Sequence, residues 1–322
     1  MFRLFDKADY DILKNSRAAV IVVLAFTIPG LILLAIRGLN LSIEFTGGTL
    51  IELRALNPSI QTEDIRSALS VGGIPAAEIQ TFGAPDEFVI RARLDESADD
   101  STETTQQTEQ VIRSALTNAL GADTFEIERT EAIGPKVGSE LRTRAQLALL
   151  LAFGAIFIFI WFRYEWRFGS AAVLATVSDI FTTIAFISYM HLEISLVVVA
   201  GLLTIIGYSL NDTIVTFDRV RENLKRFRRK NIYEILNRSI NETLPRTVLT
   251  SGTTLAATVA LLLLAGKVIS GFAWVMTFGV ITGTMSSIFI ASPILLMVER
   301  RWPGEDVRGA KTLTASGATV VT

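Results

Sequence analysis

One acidic residue, Asp212, lies inside a long apolar stretch of the sequence. The stretch begins at Ile194 and ends near Arg219, where a run of basic residues starts. If it forms a membrane-spanning helix, Asp212 lies roughly 10 Å inside the basic boundary, because each helical residue adds about 1.5 Å. A charged side chain in a bilayer costs at least about 2.5–3.5 kcal/mol, so it normally faces a partner or a water-filled cavity. Asp212 is therefore a candidate for taking up and releasing a proton; the alternative is a permanent structural ion pair.

Two more charged residues are candidates to act with Asp212. Arg246 follows Pro245 where the chain enters a further apolar stretch, so it can either pair with the acid or anchor its helix at the membrane surface. Asp179 lies near the middle of another apolar stretch and is a second candidate for a proton relay. The alternative for Asp179 is hydrogen bonding within a hydroxyl-rich neighbourhood. The neighbouring hydroxyl residues are Thr176, Ser178, Thr182 and Thr183.

Composition excludes several other kinds of chemistry. The chain has no cysteine, so neither a disulfide nor a thiolate metal site can form. Its single histidine, His191, cannot build a cluster of histidine ligands, and we expect no metal and no cofactor. The phosphate-binding pattern GxxxxGK followed by Ser or Thr does not occur, so direct use of ATP is not expected. We therefore predict a protein that is not an enzyme and that binds no nucleic acid.

The elements that position these charges are six apolar segments, each long enough to span a bilayer. Of the 322 residues, 50% are hydrophobic, and they gather into long uncharged runs. The first segment has the basic flank of a signal peptide. Its apolar run is long, however, and no small-residue cleavage site follows, so we predict a retained helix. The six segments are expected at residues 18–37, 145–162, 168–190, 194–217, 248–265 and 272–298.

Basic residues predict the orientation of the six segments. They are concentrated after the second, fourth and sixth segments, and Arg142, Arg144 and Lys267 are exceptions on the opposite side. Because loops rich in Lys and Arg stay in the cytoplasm, we expect both ends of the chain, residues 1–17 and 299–322, on the cytoplasmic side. The protein is thus predicted to be a multi-pass membrane protein with both termini inside.

Two of the cytoplasmic segments have a distinctive composition. Residues 303–322 are rich in small and polar residues and are expected to be disordered. Residues 218–247 form a basic loop, in which the cluster Lys225–Lys230 could bind anionic membrane lipid or a cytoplasmic partner, although its effect on orientation already explains it. The nine basic residues of this loop are Arg219, Arg221, Lys225, Arg226, Arg228, Arg229, Lys230, Arg238 and Arg246.

Residues 38–144, between the first two segments, are predicted to form a small folded domain outside the membrane. From Gly38 to Glu140 there are 18 acidic residues and 7 basic ones, so this part is strongly polar. The spacing of its apolar residues predicts the order β-α-β-β-α-β, which is typical of a ferredoxin-like α+β domain. The predicted elements are a strand pair or one bent strand over Leu41–Leu53, a helix over Thr62–Val71, strands over Glu78–Phe82 and Glu87–Leu94, a helix over Thr104–Leu120 and a strand over Phe125–Ile133.

Several glycines lie where close packing or a bend is needed. Gly279 and Gly283 are four residues apart in the sixth segment, a spacing that lets two helices approach closely. Gly47 and Gly48 fall within the first predicted strand and are expected to bend it. Residues 250–254, Thr-Ser-Gly-Thr-Thr, enrich the fifth segment in small side chains. We interpret all of these as structural positions.

Five sequence blocks together resemble the SecF subunits of the SecD/SecF protein-export family, which belongs to the RND superfamily. They extend from residue 45 to the end of the sixth segment at the spacing of that family, so the combination is specific although each block alone is not. The blocks are Phe45–Thr49, which contains the glycine pair, Ile133–Gly138, Tyr208–Val215, Phe217–Asn223 and Ser239–Thr254.

The resemblance implies a six-helix half of an RND-type transporter with an extracytoplasmic ferredoxin-like domain. It implies that a SecD-like subunit supplies the other half, beside a SecYEG-type translocon in a bacterial cytoplasmic membrane. The pair would use the proton gradient to help pull preproteins outward. By position, the essential acid of the family falls on Asp212 and its essential arginine on Arg246. The family commonly has a His-Asp pair where this chain has Ser178-Asp179, which counts against a relay role for Asp179.

Two other functions are compatible with the residues alone. A lipid or drug exporter of the same superfamily usually carries two six-helix repeats in one chain, whereas this sequence has one. A membrane-anchored sensor or scaffold would bind a ligand through its external domain, but it would leave Asp212 and Arg246 without a role. Purification in mild detergent separates these functions, because a sensor would not bring a second RND-like half and a translocon with it.

The predicted orientation can be tested by labelling single introduced cysteines, since the chain has none of its own. Cysteines placed between Gly38 and Glu140 should react with an impermeant reagent from outside the cell, because that domain is predicted to be external. Cysteines placed between Arg221 and Arg238 should react only after the membrane is opened. The reverse pattern at either segment would overturn the six-segment topology.

Overall fold

The computed structural model describes residues 9–75, 77–81, 84–92 and 102–302. The chain divides into two compact units. The helical unit comprises Met1–Leu39, Leu149–Leu192 and Val197–Thr322, and the sheet unit comprises Asn40–Ala148 and Glu193–Leu196. Some predictions fall outside the described residues, namely those for residues 1–8 of the N-terminal segment, for the tail (303–322), for Phe82 and for residues 93–94.

The first half of the chain contains both helices and strands, and the regular elements described in the second half are all helical. A short 3₁₀ turn (Leu13–Asn15) precedes the first helix, and a π-helical segment (Ser287–Ala291) joins the last two. In chain order the elements are α1 (Ser16–Arg37), α2 (Ile43–Thr46), β1 (Gly48–Ala55), α3 (Thr62–Val71), β2 (Glu78–Thr81), β3 (Glu87–Ala92), α4 (Thr102–Leu120), β4 (Phe125–Ile133), α5 (Pro135–Arg163), α6 (Trp166–Tyr189), α7 (Leu196–Arg226), α8 (Ile232–Leu264), α9 (Lys267–Ser286) and α10 (Ser292–Arg301).

Six helical stretches within the described residues are long and apolar enough to cross a membrane, which confirms the prediction of a six-span helical protein. Two helices begin well before the predicted segments. Helix α5 starts at Pro135, a residue that is favourable in the first turn, and α8 starts after Asn231, whose side chain accepts a hydrogen bond from the amide of Glu234. The six stretches are Leu13–Arg37, Pro135–Arg163, Trp166–Tyr189, Leu196–Arg226, Ile232–Leu264 and Val268–Arg301.

The sheet unit has the predicted ferredoxin-like topology. Its four strands lie in the order β2-β3-β1-β4, and every neighbouring pair is antiparallel. Strand β1 is therefore central, with Ile51 opposite Ile90 of β3 and Thr130 of β4. The pairing of β1 with β4 shifts between Glu52 and Leu53, which marks a bulge. The order β-α-β-β-α-β is confirmed for this unit.

One face of the sheet is covered by α3 and α4. Strand β1 alternates, so that Ile51 and Leu53 point to this face and are 0% and 1% exposed. The helices contribute pairs of apolar residues four positions apart, which share one helical face. These pairs are Ile65 with Leu69 and Ile112 with Leu116, and all four are at most 1% exposed. Full burial of such a side chain contributes about 1.5–3 kcal/mol, so this layer is the main source of stability in the unit.

The predicted first part of the bent strand is wrong, because residues 43–46 form the helical turn α2. The carbonyl of Ser42 accepts hydrogen bonds from the amides of Phe45 (3.0 Å) and Thr46 (3.2 Å), which close the turn. Ile43 then packs against the second face of the sheet. Its neighbours there are Leu50, Val89 and Ile133. A four-residue apolar stretch is too short for its periodicity to distinguish a strand from a turn.

The two glycine-containing blocks of the sequence pack against each other at the start of α5. Gly47 has a φ angle of +72°, which side chains disfavour, and a Cβ atom there would lie 2.7 Å from the Cα atom of Pro135. A Cβ atom at Gly138, one turn into α5, would lie 2.8 Å from the amide nitrogen of Gly47. Backbone meets backbone at both points, so neither glycine has room for a side chain.

In the helical unit, α6 and α7 are central and α1 is peripheral. About half of the most apolar part of α6 and of α7 is buried (50% and 56%), against 11% for α1. Helix α1 crosses α6 closely at Gly30, where a Cβ atom would lie 2.5 Å from the Cβ atom of Ala185. Hydroxyls of Thr27 and Thr182 join the same two helices at 2.8 Å. The central helices are the ones that carry Asp179 and Asp212.

Replacing Gly47 tests the contact between the two glycine blocks. Gly47→Ala should lower the unfolding temperature of the purified protein, because it adds backbone strain of about 1–2 kcal/mol and also forces Pro135 away. Gly73→Ala is the matched control, since Gly73 has a φ angle of +88° but nothing within 4 Å of its Cβ position. The control should show the backbone strain alone. Equal losses in the two variants, measured by thermal unfolding in mild detergent, would rule out the close approach.

Candidate functional site

Asp212 lies on α7, is 3% exposed, and belongs to a chain of hydrogen bonds that joins three helices. The hydroxyl of Ser251 on α8 donates to Oδ2 of Asp212 at 3.3 Å. The hydroxyl of Thr284 on α9 donates in turn to Ser251 at 2.7 Å. The hydroxyl of Thr284 also lies 2.7 Å from the carbonyl oxygen of Val280, so its single proton can serve either partner. The acid therefore ends a chain whose hydrogen bonds can reverse direction.

Reversal of this chain suits both protonation states of Asp212. When Asp212 is ionised, Ser251 donates to it and Thr284 donates to Ser251. When Asp212 carries a proton, it can donate to Ser251, Ser251 to Thr284, and Thr284 to the carbonyl of Val280. Neither state leaves a buried hydroxyl without an acceptor, which would cost about 1–3 kcal/mol. The geometry can thus accommodate the gain or loss of a proton without rearrangement of the helices.

Arg246 lies on α8, the helix that also carries Ser251. It is exposed, and its side chain forms no ion pair with Asp212 within the described residues. It is nevertheless close enough for electrostatic attraction to the acid. Five residues separate Arg246 from Ser251, which corresponds to about 7–8 Å along the helix axis. The conformation described here does not contain the permanent salt bridge that was one of the two expectations for Asp212.

Asp179 lies on α6 and is 2% exposed. The hydroxyl of Ser209, on α7, donates to its carboxylate. The neighbouring threonines were expected to bind the carboxylate of Asp179. Within the described residues, the hydroxyls of Thr176, Thr182 and Thr183 instead donate to backbone carbonyls. The partner of Asp179 therefore comes from another helix. Sequence reasoning missed it, and its only signal is that Ser209 lies three residues before Asp212 on the same helix.

Gly279 and Gly283 face α7 across a close helix crossing. A Cβ atom at Gly279 would collide with the side chain of Ile205, and one at Gly283 would lie 3.0 Å from the Cβ atom of Ser209. A Cβ atom at a third glycine, Gly201 on α7, would lie 3.3 Å from the side chain of Phe272. Small residues on both helices thus bring α9 close to α7, next to the hydroxyl that binds Asp179.

A row of buried polar side chains continues from Asp212 along α7 and α8. The hydroxyls of Thr216 and Thr243 are 3.4 Å apart, and both residues are buried. Further along, the Asn223 amide donates to Ser239 (2.9 Å) and to Glu242 (2.8 Å). Glu242 also accepts hydrogen bonds from two arginines, Arg219 at 2.6 Å and Arg238 at 2.8 Å. The row thereby extends from the acid to charged residues on α7 and α8. These two helices occupy most of the predicted basic loop, residues 218–247, so most of that segment is helical.

The helix after α9 changes its pitch, which the sequence analysis did not foresee. Residues 287–291 are π-helical, and α10 begins with Ser292 and Pro293. Proline lacks a backbone amide, so an ordinary α-helical hydrogen bond cannot form there. Single π-helical turns inside α-helices occur frequently at functional sites. The signal in the sequence was the Ser292-Pro293 pair within an apolar segment.

The fold and the site together define a class of protein: a multi-pass membrane protein with a ferredoxin-like domain and a buried acid joined to hydroxyls on two other helices. The sequence matches the family model "Protein export membrane protein SecD/SecF, C-terminal" over residues 111–301. Residues 32–55 match the model "SecD/SecF GG Motif", which covers Gly47 and Gly48. The chain belongs to the SecD/SecF family of protein-export membrane proteins.

Two relatives that match the chain over most of its length are both named as SecF subunits. The chain is 49% identical over 325 residues to "Protein translocase subunit SecF" of Gemmatimonas aurantiaca, covering 100% of this chain and 97% of that protein. It is 44% identical over 290 residues to the protein of the same name from Desulfurispirillum indicum, covering 88% of each.

A solved structure of a relative has the same fold over most of the chain. The crystal structure of SecDF from Thermus thermophilus, described as a translocon-associated membrane protein, matches with a TM-score of 0.79 and 35% identity. The match covers 94% of this chain and 40% of that chain. A second crystal structure, of SecDF in the Super-membrane-facing form, matches with a TM-score of 0.66 and 34% identity. The chain thus spans about 40% of the length of the SecDF chains it resembles.

The close crossing of α7 and α9 predicts a strong effect at Gly279. Gly279→Ala should lower the unfolding temperature in detergent, because Ile205 has to move and overpacking typically costs about 1–3 kcal/mol. Gly154→Ala on α5 is the control, since nothing lies within 4 Å of its Cβ position. The control should be neutral or slightly stabilising, as alanine is the better helix former. An unchanged unfolding temperature for Gly279→Ala would contradict the crossing.

Proposed function

We propose that this protein is an accessory subunit of the Sec export machinery that uses the proton gradient to promote preprotein translocation. The relatives named as SecF translocase subunits support the export role. The observation that carries the use of protons is the buried acid Asp212, whose hydrogen-bond chain through Ser251 and Thr284 suits both protonation states. A structural acid would need partners for only one of those states.

In the proposed cycle Asp212 alternates between a protonated state and an ionised state, and Arg246 stabilises the ionised one. It shares helix α8 with Ser251, so a movement of α8 relative to α7 changes which of the two lies nearest the acid. An arginine beside a carboxylate favours the ionised form, and the proton then leaves. When the arginine withdraws, Asp212 takes up a proton again and donates it in a hydrogen bond to Ser251. Protonation is thereby linked to the relative position of the two helices.

The buried polar row gives the proton a route on one side of the site. Thr216 and Thr243 lie between the acid and the charged pair of Arg219 and Glu242, and Asn223 binds Glu242 one turn further along α7. Under the predicted orientation this end of the row faces the cytoplasm. Protons that enter from the outside would leave in this direction, which is the direction that the proton gradient drives.

We assign Asp179 a different role from Asp212. Its carboxylate receives the hydroxyl of Ser209 and so ties α6 to α7 within the helical unit. Asp179 is 2% exposed and forms no ion pair with an arginine or lysine within the described residues. We therefore propose that the relay rests on Asp212 and that Asp179 acts mainly as a packing and hydrogen-bonding residue.

The proposed partners follow from the length of the related chains. The chain spans about 40% of the SecDF chain, so a SecD-like subunit is proposed to supply the remainder. The pair would stand beside a SecYEG-type translocon in a bacterial cytoplasmic membrane, with both termini of this chain inside. Preproteins would be the substrate, and anionic lipid would meet the basic loop. An exporter half or a sensor, the other two functions considered, would not co-purify with a translocon from mild detergent.

The proposal predicts a specific loss in Asp212→Asn. This variant keeps the shape of the side chain but cannot release a proton, so export into membrane vesicles should lose its dependence on the proton gradient. Asp212→Glu should keep part of the activity, because it retains a titratable carboxyl group. Asp179→Asn is the matched control, since its amide oxygen can still accept the hydroxyl of Ser209. All variants should insert at normal abundance, and gradient-stimulated export by Asp212→Asn would end the proposal.

Arg246→Lys tests the state in which the arginine lies beside the ionised Asp212. Most of the gradient-dependent export should be lost, because a point charge replaces the fixed fork of donors that matches a carboxylate. The measurement is again the difference in preprotein transport with and without a gradient. A purely structural arginine predicts another result, namely a lower amount of protein in the membrane with normal transport per molecule.

A further inference from the structure

The short connection between α6 and α7 belongs to the sheet unit and not to the helical unit. Residues 193–196 form one compact unit with residues 40–148. Ile194 forms a parallel bridge with Leu41. Its amide donates to the carbonyl of Asn40 at 2.7 Å, and its carbonyl accepts from the amide of Ser42 at 3.0 Å. The connection is thus an extra strand-like segment of the sheet unit.

An ion pair strengthens this attachment. Arg91 on β3 pairs with Glu193, and the two side chains are only 10% and 28% exposed. Burial raises the pKa of the Glu193 carboxyl above its ordinary value, and the Arg91 guanidinium opposes part of that rise. Arg91 therefore favours the ionised form of Glu193. Partly buried pairs of this kind are screened by salt less than exposed ones.

Glu44 completes the attachment by capping α7. Its carboxylate accepts a hydrogen bond of 2.5 Å from the amide of Leu196, the first residue of α7. The first amides of a helix have no partner within the helix, and a negative charge near them is favourable. Ser42 donates to the same carboxylate oxygen at 3.3 Å and helps to hold it in place. A side chain of the helical turn α2 thus binds the start of the helix that carries Asp212.

We define these three sets of contacts as the clasp: Asn40–Glu44, Arg91 and Glu193–Leu196. We propose that the clasp stays closed through the working cycle and delivers displacements of α7 to the sheet domain. Glu44, Arg91 and Glu193 are then positioning residues for the proposed proton-driven function, on which this inference rests. Helices α1 and α5 adjoin the sheet domain because they precede and follow it in the chain. The clasp adds the first residue of α7 to this domain.

The continuity of α7 is the reason to place the linkage here. This helix runs from Leu196 to Arg226 and contains no proline. Sixteen residues separate Leu196 from Asp212, which corresponds to about 24 Å of helix. A shift of α7 at the acid is therefore carried as a rigid body to the residue that Glu44 caps. A flexible connection at this point would absorb the same shift.

Locking the clasp is the first test. The double variant Leu41→Cys/Ile194→Cys places two cysteines at positions that are partners in the β-bridge, and such partners are close enough for a disulfide. The chain has no other cysteine that could interfere. The disulfide should form on mild oxidation and leave gradient-stimulated export in vesicles unchanged. If the disulfide fails to form, or if oxidation blocks export and reduction restores it, the clasp has to open and the proposal is wrong.

Breaking the clasp is the second test. Arg91→Glu and Glu193→Arg should each remove most of the gradient-stimulated export at normal abundance. The combined swap should restore a large part of it, because opposite charges again face each other; a merely structural defect would not be rescued. Arg66→Glu is the control, since Arg66 pairs with Glu63 on the exposed surface of the same domain. Full gradient response in both single variants would overturn the proposal.

The same vesicles separate this inference from the proposed function. If Asp212→Asn loses the gradient response while the broken clasp keeps it, only the clasp is refuted. If Asp212→Asn keeps the response, the proton-driven function itself fails, and the clasp loses its role with it. Loss of the response in Asp212→Asn and in both single clasp variants, with rescue by the swap, supports both.

Discussion

A carboxyl group enclosed by apolar helices needs hydrogen-bond partners in each protonation state that it adopts, and this requirement organises the helical unit. Asp212 meets it through Ser251 and Thr284, which stand on two other helices. Such a chain forms only if the helices approach closely, and in the same unit the glycines of α9 bring that helix close to α7. The buried acid thus explains why small and hydroxyl-bearing residues are concentrated in segments that must otherwise be apolar.

In the sheet unit, small and charged residues likewise form the contacts at the starts of α5 and α7. Gly47 and Gly138 leave room for backbone to meet backbone at the start of α5. Glu44 and the Arg91–Glu193 pair hold the start of α7. The first residues of α5 and of α7 therefore belong to the sheet unit.

Much of this arrangement follows from the sequence, and the remainder depends on contacts that periodicity does not encode. Apolar spacing predicted the six helices and the β-α-β-β-α-β order, and a lone charge in an apolar run identified Asp212. Residues 43–46 were misassigned because four residues carry too little periodicity. The partners Ser209, Ser251 and Thr284 were missed because hydroxyls are common in membrane helices, and only the packing of the helices selects among them. The ion pair of Arg91 with Glu193 joins residues far apart in sequence.

The central claim is that Asp212 changes its protonation state as Arg246 approaches and withdraws. Difference infrared spectroscopy in lipid membranes tests it directly, because a protonated carboxyl group has its own absorption band. The account predicts a titrating band that is absent from Asp212→Asn and that titrates at a different pH in Arg246→Lys. A band that is present in Asp212→Asn, or one that titrates identically in Arg246→Lys, would contradict the account.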